Sequence, residues 1–587
     1  MITRRLYRSL DERVGSTPLL RKSLVKVFPD HWTFMFGEIA LYSFVTLVLT
    51  GVFLTLFFEP STAEQVYRGG YEALSGSRVS SAFASTVALS YDVRAGLLFR
   101  QAHHWSALLF VAAIVLHLSR IFFTGAFRRP REINWVVGVT MLALALLNGF
   151  TGYSMPDDLL SGIGLRIIYS VVLSIPVAGS WLAMLLFGGE FPTAQLLPRL
   201  YISHVLLVPA AFAALISVHL VIIVVQKHTQ FPGPGRRDRN VVGSRFWPAY
   251  TLRSVSLLLG VLAVAFALGG LVQINPIWIY GPFNPAKATS PAQPDWYVAW
   301  GDGALRLFPP ADFRIFGRLV PSPFWPSVGL GTITFLLLYA WPWLERWRTG
   351  DRAFHHVLER PRERPGRVAV GAYALTFFAV LLVAAADDII ARLTRVPVTA
   401  LVTALRIAIL VLPVAAAVIA YLITNALRRS TGSGVTELTR EDMRAGLTPH
   451  RARHPAGREP PLVPPPDQVV QMWRNPAGTW RWRWRGPGEE LLSNEAYLSR
   501  DEALTAARVA FAGVRLEQVR PPAGVPLPPP RHRHPAATRA AGVTGWLALF
   551  LLGRRRRPGP PDGPPAEPGE EPPEDPGERA REPAARE

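Results

Sequence analysis

The chain has 587 residues, half of them apolar, with no cysteine and a formal net charge of +20. The missing cysteine excludes disulfides, thiolate-bound iron–sulfur clusters and cysteine-anchored cofactors, so a metal centre here must rest on histidine. Apolar segments of about 20 residues recur, the length a bilayer crossing requires. The positive charge then reads as membrane topology plus an arginine-rich tail, not as a nucleic-acid surface.

In chain order, residues 1–30 are basic and lack an apolar core, so no cleavable signal peptide is expected there. Eight spans follow: Phe34–Phe58, Leu97–Phe122, Asn134–Tyr153, Leu200–Val225, Thr251–Val272, Phe324–Leu344, Val368–Ala386 and Leu401–Ala426. Leu159–Phe187 is apolar but broken by Gly162, Gly164 and Pro176, which suits interfacial helices better than a ninth span. Basic residues gather in the N-terminal segment and in the loops after the second, fourth and sixth spans, for example Arg128, Arg129 and Arg131. Retained loops carry such an excess, so both termini are expected in the cytoplasm.

Residues 430–465 are polar and proline-rich, as a linker is. In residues 466–525, Trp480, Trp482 and Trp484 alternate with arginines as in a strand with one packed face, and Arg500–Val514 has the pattern of an amphipathic helix. Alternating Trp and Arg also suits nucleic-acid stacking, but a packed strand is the commoner case. This stretch resembles the small YegP-like domain. Residues 526–587 are rich in proline, glutamate and arginine and are expected to be largely disordered; within them the apolar run 543–552 is too short to span a membrane.

The second span carries His103 and His117, fourteen residues apart; the fourth carries His204 and His219, fifteen apart. On helices these intervals return each pair to within roughly 40° and 60° of one face, about 21 and 22 Å along the axis. The two spans enter the bilayer from the same side, so His103 faces His204 and His117 faces His219 at matching depths. Each pair then supplies two axial imidazoles to a haem iron. A lone intramembrane histidine is more often a core or proton-relay residue; four in this register are not. His104 points about 100° away from His103, has no expected partner, and reads as an ordinary polar contact. Gly37 and Gly51 in the first span, and Gly138 and Gly152 in the third, repeat the fourteen-residue interval. Glycine allows close approach of a flat macrocycle to the backbone. Arg100 and Arg120 bracket the second span, where they suit haem propionates or interfacial anchoring.

With "FGEIALYSFVTLVLTG", "GYSMPDDLLSGIGLR", "QKHTQFPGPGR" and "QPDWY" beside the histidines, residues 30–430 resemble cytochrome b of respiratory cytochrome bc complexes, most closely the actinobacterial form. The resemblance implies an all-α polytopic fold of eight transmembrane helices. Residues 31–230 would form a four-helix di-haem bundle, residues 231–429 the rest of the membrane part, and the C-terminus a small α+β domain. It also implies two non-covalent b-type haems: the low-potential one on His103 and His204 near the outer face, the high-potential one on His117 and His219 near the cytoplasm.

Pro294, Asp295, Trp296 and Tyr297 match the family's quinol-oxidation motif, with aspartate where glutamate is common. A carboxylate beside a quinol hydroxyl takes its proton as a general base. Tyr153 and Gly164 align with residues next to that site, whereas Asp157 and Asp158 replace the usual tryptophan–glycine. His228 matches the histidine of the quinone-reduction site. Arg253 and Ser254 stand where mitochondrial relatives carry Lys-Asp, which leaves the proton donor of the inner site open.

The implied protein oxidises quinol, with menaquinol as donor, in a bacterial cell membrane. Its implied partners are a Rieske iron–sulfur subunit, a di-haem cytochrome c subunit, a terminal oxidase, membrane lipid and a second copy in a dimeric complex, with no nucleic acid. The alternatives are a smaller di-haem quinone oxidoreductase subunit, which lacks the Pro-Asp-Trp-Tyr loop, and a proton-coupled transporter, which binds no haem.

Overall fold

The computed structural model of the chain describes residues 26–444, except 234–235, 237, 239 and 288–293. Further on it describes 469–474, 480–486, 489–492, 500–501, 503–504, 507 and 515–520. Residues 1–25, residues 445–465 of the expected linker, and the tail 526–587 with its apolar run 543–552 lie outside the described residues. The chain divides into two units, residues 1–460 and 461–587.

In the first unit, eight described helices are long and apolar enough to cross a membrane: Trp32–Thr55, Gly96–Thr124, Glu132–Ser154, Leu196–Gln226, Phe246–Leu271, Ser322–Thr349, Pro365–Ala384 and Val398–Arg429. Side chains exposed on them, such as Leu49, Val52, Val225 and Leu410, are apolar, as a surface facing lipid must be. The eighth helix continues to Arg444, past Arg429 where the polar sequence begins. The segment between the third and fourth spans forms two shorter helices, Leu159–Leu173 and Gly179–Phe187, with Pro176 between them. Asp158 caps the first of these, accepting from the backbone N–H of Leu160 at 3.1 Å.

The fourth span is not a regular α-helix. A π turn occupies Ser203–Leu207, closed by the Val208 N–H on the Ser203 carbonyl, just ahead of Pro209. Pro209 has no N–H to continue the ladder, and the wider turn absorbs one residue. The fifteen residues from His204 to His219 therefore count as fourteen in helical phase. They match the His103–His117 interval, and the 60° offset read from spacing falls to roughly 40°.

The first four spans form a bundle whose middle is apolar. Phe44, Phe110 and Phe212 meet there, with ring centres 5.5 to 6.0 Å apart, midway along the second and fourth spans between the upper histidines, His103 and His204, and the lower ones, His117 and His219. At the end carrying the basic loops, Glu359 joins Arg128 at 2.9 Å, Arg364 at 2.5 Å and Arg367 at 2.7 Å. Arg131 donates to the His355 carbonyl at 2.6 Å. These bonds tie the loop after the second span to the loop after the sixth.

The second unit contains a four-stranded sheet. Arg515–Gln518 pairs in parallel with Val469–Arg474, which is followed by antiparallel Trp480–Gly486 and Glu489–Leu492. Trp482 lies opposite Met472 and Trp484 opposite Val470; Val470, Trp484 and Ala507 form a small core with Trp482 against it. The tryptophan strand thus packs one face, as its alternation requires. The described part of the expected helix buries Ala503 and Ala507.

Candidate functional site

The second and fourth spans bring the histidines together in two pairs. His103 and His204 have ring centres 6.1 Å apart, and His117 and His219 6.4 Å apart, with planes inclined by 66° and 70°. Two metal–imidazole bonds of roughly 2 Å, plus about 1 Å from each nitrogen to its ring centre, put ligand rings about 6 Å apart. Both separations fit an iron held between two imidazoles.

The hydrogen bonds of the upper pair fix which nitrogen is free. The Thr50 hydroxyl donates to the Thr46 carbonyl at 2.7 Å and so accepts from His103 Nδ1 at 2.9 Å. His204 Nδ1 donates to the Asn148 carbonyl at 2.9 Å, with Thr151 Oγ1 at 3.3 Å. Each Nδ1 therefore carries the proton, and each Nε2 keeps its lone pair for a metal. In the lower pair, His117 Nδ1 is buried with no hydrogen-bond partner among the described residues.

Three of the four glycines stand directly against imidazoles. A Cβ on Gly51 would lie 3.3 Å from His103 Cε1, one on Gly37 3.0 Å from His117 Cε1, and one on Gly152 would collide with His204. A Cβ on Gly138 meets nothing within 4 Å. The glycines thus admit the ligand rings first, and only Gly138 leaves its surroundings clear. Beside the upper pair, Arg100 donates to the Asn275 carbonyl at 3.1 Å, and its Nε is buried without a partner. Beside the lower pair, Arg120 is buried over the Phe34 ring at 4.2 Å, with Nε and Nη2 unpartnered. A buried guanidinium without an anion is costly, so each pair has a cation placed for the carboxylates of a bound group.

A cavity of about 310 Å³ joins the upper pair to the second functional cluster; Arg100, His103, Tyr153, His204, Asp295 and Tyr297 all line it. Asp295 stands at the N-terminus of the helix Trp296–Leu307. Its carboxylate lies 2.8 and 3.0 Å from His104 Nε2 and accepts from the Tyr297 hydroxyl at 2.9 Å. His104, read from sequence as lacking a partner, therefore has one; no local pattern signals it, because Asp295 lies 191 residues further on. Tyr297 is buried, and burial first, then the Asp295 charge, raises its hydroxyl well above the ordinary value. Its ring fits only because position 149 is glycine. Trp296 is half-exposed beside it at 6.0 Å, and Gly164 lies next to the Tyr153 ring. Asp157 and Asp158 do not line this cavity; Asp157 has a positive φ of 55°, and burial lifts its carboxyl to about 6.

At the other end, His228 follows the fourth span with its ring 4.7 Å from Phe28. Burial, then Lys26, Arg131 and Arg120, push its pKa down to about 4, so it is neutral near pH 7. Phe28 also stacks on Tyr250 at 4.4 Å. Tyr250 donates to Glu38 at 2.6 Å, and so does Ser254, the residue at the position of the missing aspartate. Glu38 escaped the reading of the sequence, although it is the only charged side chain in Met35–Thr55. A charge inside a span is itself a functional signal.

The family described as cytochrome b (N-terminal)/b6/petB matches residues 108–282. The cytochrome bc1 complex cytochrome b subunit of Mycobacterium leprae is 49% identical over 422 residues, which cover 72% of this chain and 76% of that one. The corresponding subunit of Corynebacterium efficiens is 44% identical over 422 residues, 72% and 78% of the two chains. That of Streptomyces coelicolor is 44% identical over 407 residues, 69% and 74%. A solved structure titled hyperthermophilic respiratory Complex III shares the fold with a TM-score of 0.53 at 22% identity, covering 71% of this chain and 98% of that one.

Proposed function

The chain belongs to the cytochrome b subunits of cytochrome bc1 complexes, the catalytic membrane subunits of these oxidoreductases, and from that premise we propose how its residues divide the work. His103 and His204 hold one b-type haem, and His117 and His219 hold a second. Arg100 and Arg120 pair with their propionates. The observation that carries this reading is the pair of ring-centre separations, 6.1 and 6.4 Å, each beside a buried guanidinium. The haems supply one-electron transfer between the two ends of the bundle.

At the outer end, a quinol enters the cavity beside Asp295. The Asp295 carboxylate takes the proton of a quinol hydroxyl as its electrons leave. His104 and Tyr297 hold that carboxylate from two sides, and Tyr153 lines the pocket. At the inner end, neutral His228 hydrogen-bonds a quinone carbonyl. With no cysteine in the chain, the Rieske cluster lies on a partner subunit. Menaquinol is the donor; a di-haem cytochrome c subunit and a terminal oxidase are the further partners, in a complex that carries two copies of this chain. The chain sits in the bacterial plasma membrane with both termini in the cytoplasm. Residues 1–30 form the N-terminal segment, 31–230 the haem bundle and 231–429 the second membrane half. Residues 430–465 link these to a YegP-like domain, 466–525, followed by the tail.

A reduced-minus-oxidised spectrum of the purified complex, together with quinol:cytochrome c activity, tests the proposal. Two b-type haems per chain and quinol-dependent reduction of cytochrome c are expected. A chain without b haem contradicts it and favours proton transport by intramembrane histidines.

A further inference from the structure

Glu38 lies where three parts of the inner end converge. The residue before it, Gly37, packs against the His117 ring. Its carboxylate accepts from Tyr250 and Ser254, each at 2.6 Å, and from Tyr42 at 3.4 Å; Tyr42 and Ser254 are also in contact with each other. Tyr250 stacks on Phe28, whose other neighbour is His228. Among the described residues, then, the partners of Glu38 are three hydroxyls and not a cation. A strong ion pair would hold the carboxylate permanently ionised. Neutral hydroxyls stabilise either protonation state and pass protons along themselves. Towards the aqueous phase, Arg253 next to Ser254 pairs with Asp30 at 2.6 Å, both partly exposed. Other charges at this end are Arg120 over Phe34, Lys26 beside Phe28, Arg131, which with these two acts on His228, and Arg236, which with Arg120 acts on His31.

We propose that Glu38 is the proton reservoir of the inner quinone site, taking the place of the aspartate that Ser254 replaces. The inference rests on the inner quinone site proposed above. Reduction of one quinone to quinol takes two electrons and two protons; the electrons come from quinol oxidised at the Asp295 end. Glu38 gives one proton, through the Tyr250 and Ser254 hydroxyls, to one quinone oxygen and is left as carboxylate. It then regains a proton from the inner aqueous phase. The second proton enters from the same phase on the His228 side, to the other oxygen. A structural staple between the first and fifth spans would use the same hydrogen bonds from Tyr250 and Ser254 but would not exchange protons during turnover.

The test uses the intact complex carrying Glu38→Gln, Glu38→Asp or Tyr250→Phe. Three quantities are read: haem content, the pH profile of turnover, and the carboxyl band in redox-difference infrared spectra. Glu38→Gln is expected to keep both haems, to lose the band, and to turn over about 100-fold more slowly. Its rate should fall with rising pH across the range where the parent is flat, because only bulk protons then remain. Glu38→Asp should restore part of the rate and the band. Glu38→Gln with both haems, an unchanged profile and an unchanged band overturns the proposal. If that variant does not assemble, Tyr250→Phe decides: a shifted alkaline limb supports the proposal and an unshifted one overturns it. Absence of haem from the parent complex would instead overturn the functional reading.

Discussion

The two histidine pairs have nearly the same ring separation and very different surroundings. Both upper Nδ1 atoms are held, His103 by Thr50 and His204 by the Asn148 carbonyl, and Gly51 and Gly152 press on both rings. Below, His117 Nδ1 has no partner among the described residues and only Gly37 crowds its ring. An imidazole whose second nitrogen donates to an acceptor is oriented and made more basic, and a more basic ligand favours the oxidised metal. On the haem assignment proposed above, the upper station is expected to have the lower potential, with electrons passing from the Asp295 end to the His228 end. That is the order the resemblance implies.

The comparison can be broken most severely at Gly152. Gly152→Ala forces a methyl group into the His204 ring and should empty the upper site while leaving the lower, so haem content falls from two to one per chain. Gly51→Ala, with its 3.3 Å contact, should cost less. Next in size, Asp295→Asn should slow quinol oxidation about 100-fold with both haems retained, because the amide cannot take the proton; stopped-flow haem reduction reads this directly.

A smaller effect sharpens the asymmetry itself. Thr50→Val removes the acceptor of His103 without changing side-chain shape. It should weaken upper haem binding about 10-fold and move only the upper potential, upwards, in a redox titration. The smallest effect concerns His228. Its pKa is depressed to about 4 in the folded protein, below its ordinary 6.5. Between those values the unfolded chain binds more protons than the folded one, so the contribution of His228 to stability is complete above about pH 6.5. It is lost progressively as pH falls towards 4. Thermal melts of the complex should show this slope, and His228→Asn should flatten it.

Much of this was legible in the sequence, for a physical reason. Lipid demands about 20 apolar residues per crossing, so the eight spans stand within a few residues of their observed bounds. Equal histidine intervals on two parallel helices then imply facing pairs. What escaped depends on contacts or backbone turns that spacing does not encode. The π turn at Ser203–Leu207 hides one residue of the His204–His219 interval. The partner of His104 lies 191 residues away, and the three hydroxyls around Glu38 come from two spans more than 200 residues apart. Glu38 itself was visible as a lone charge in an apolar span; its neighbours were not.

The central claim is that each histidine pair holds its own haem and that the upper one has the lower potential. Redox titration of the purified complex, parent beside His117→Ala, tests it most directly. The parent should titrate as two b-type components, and His117→Ala should retain only the component of lower potential. Retention of both components, or survival of the higher one alone, would contradict the assignment.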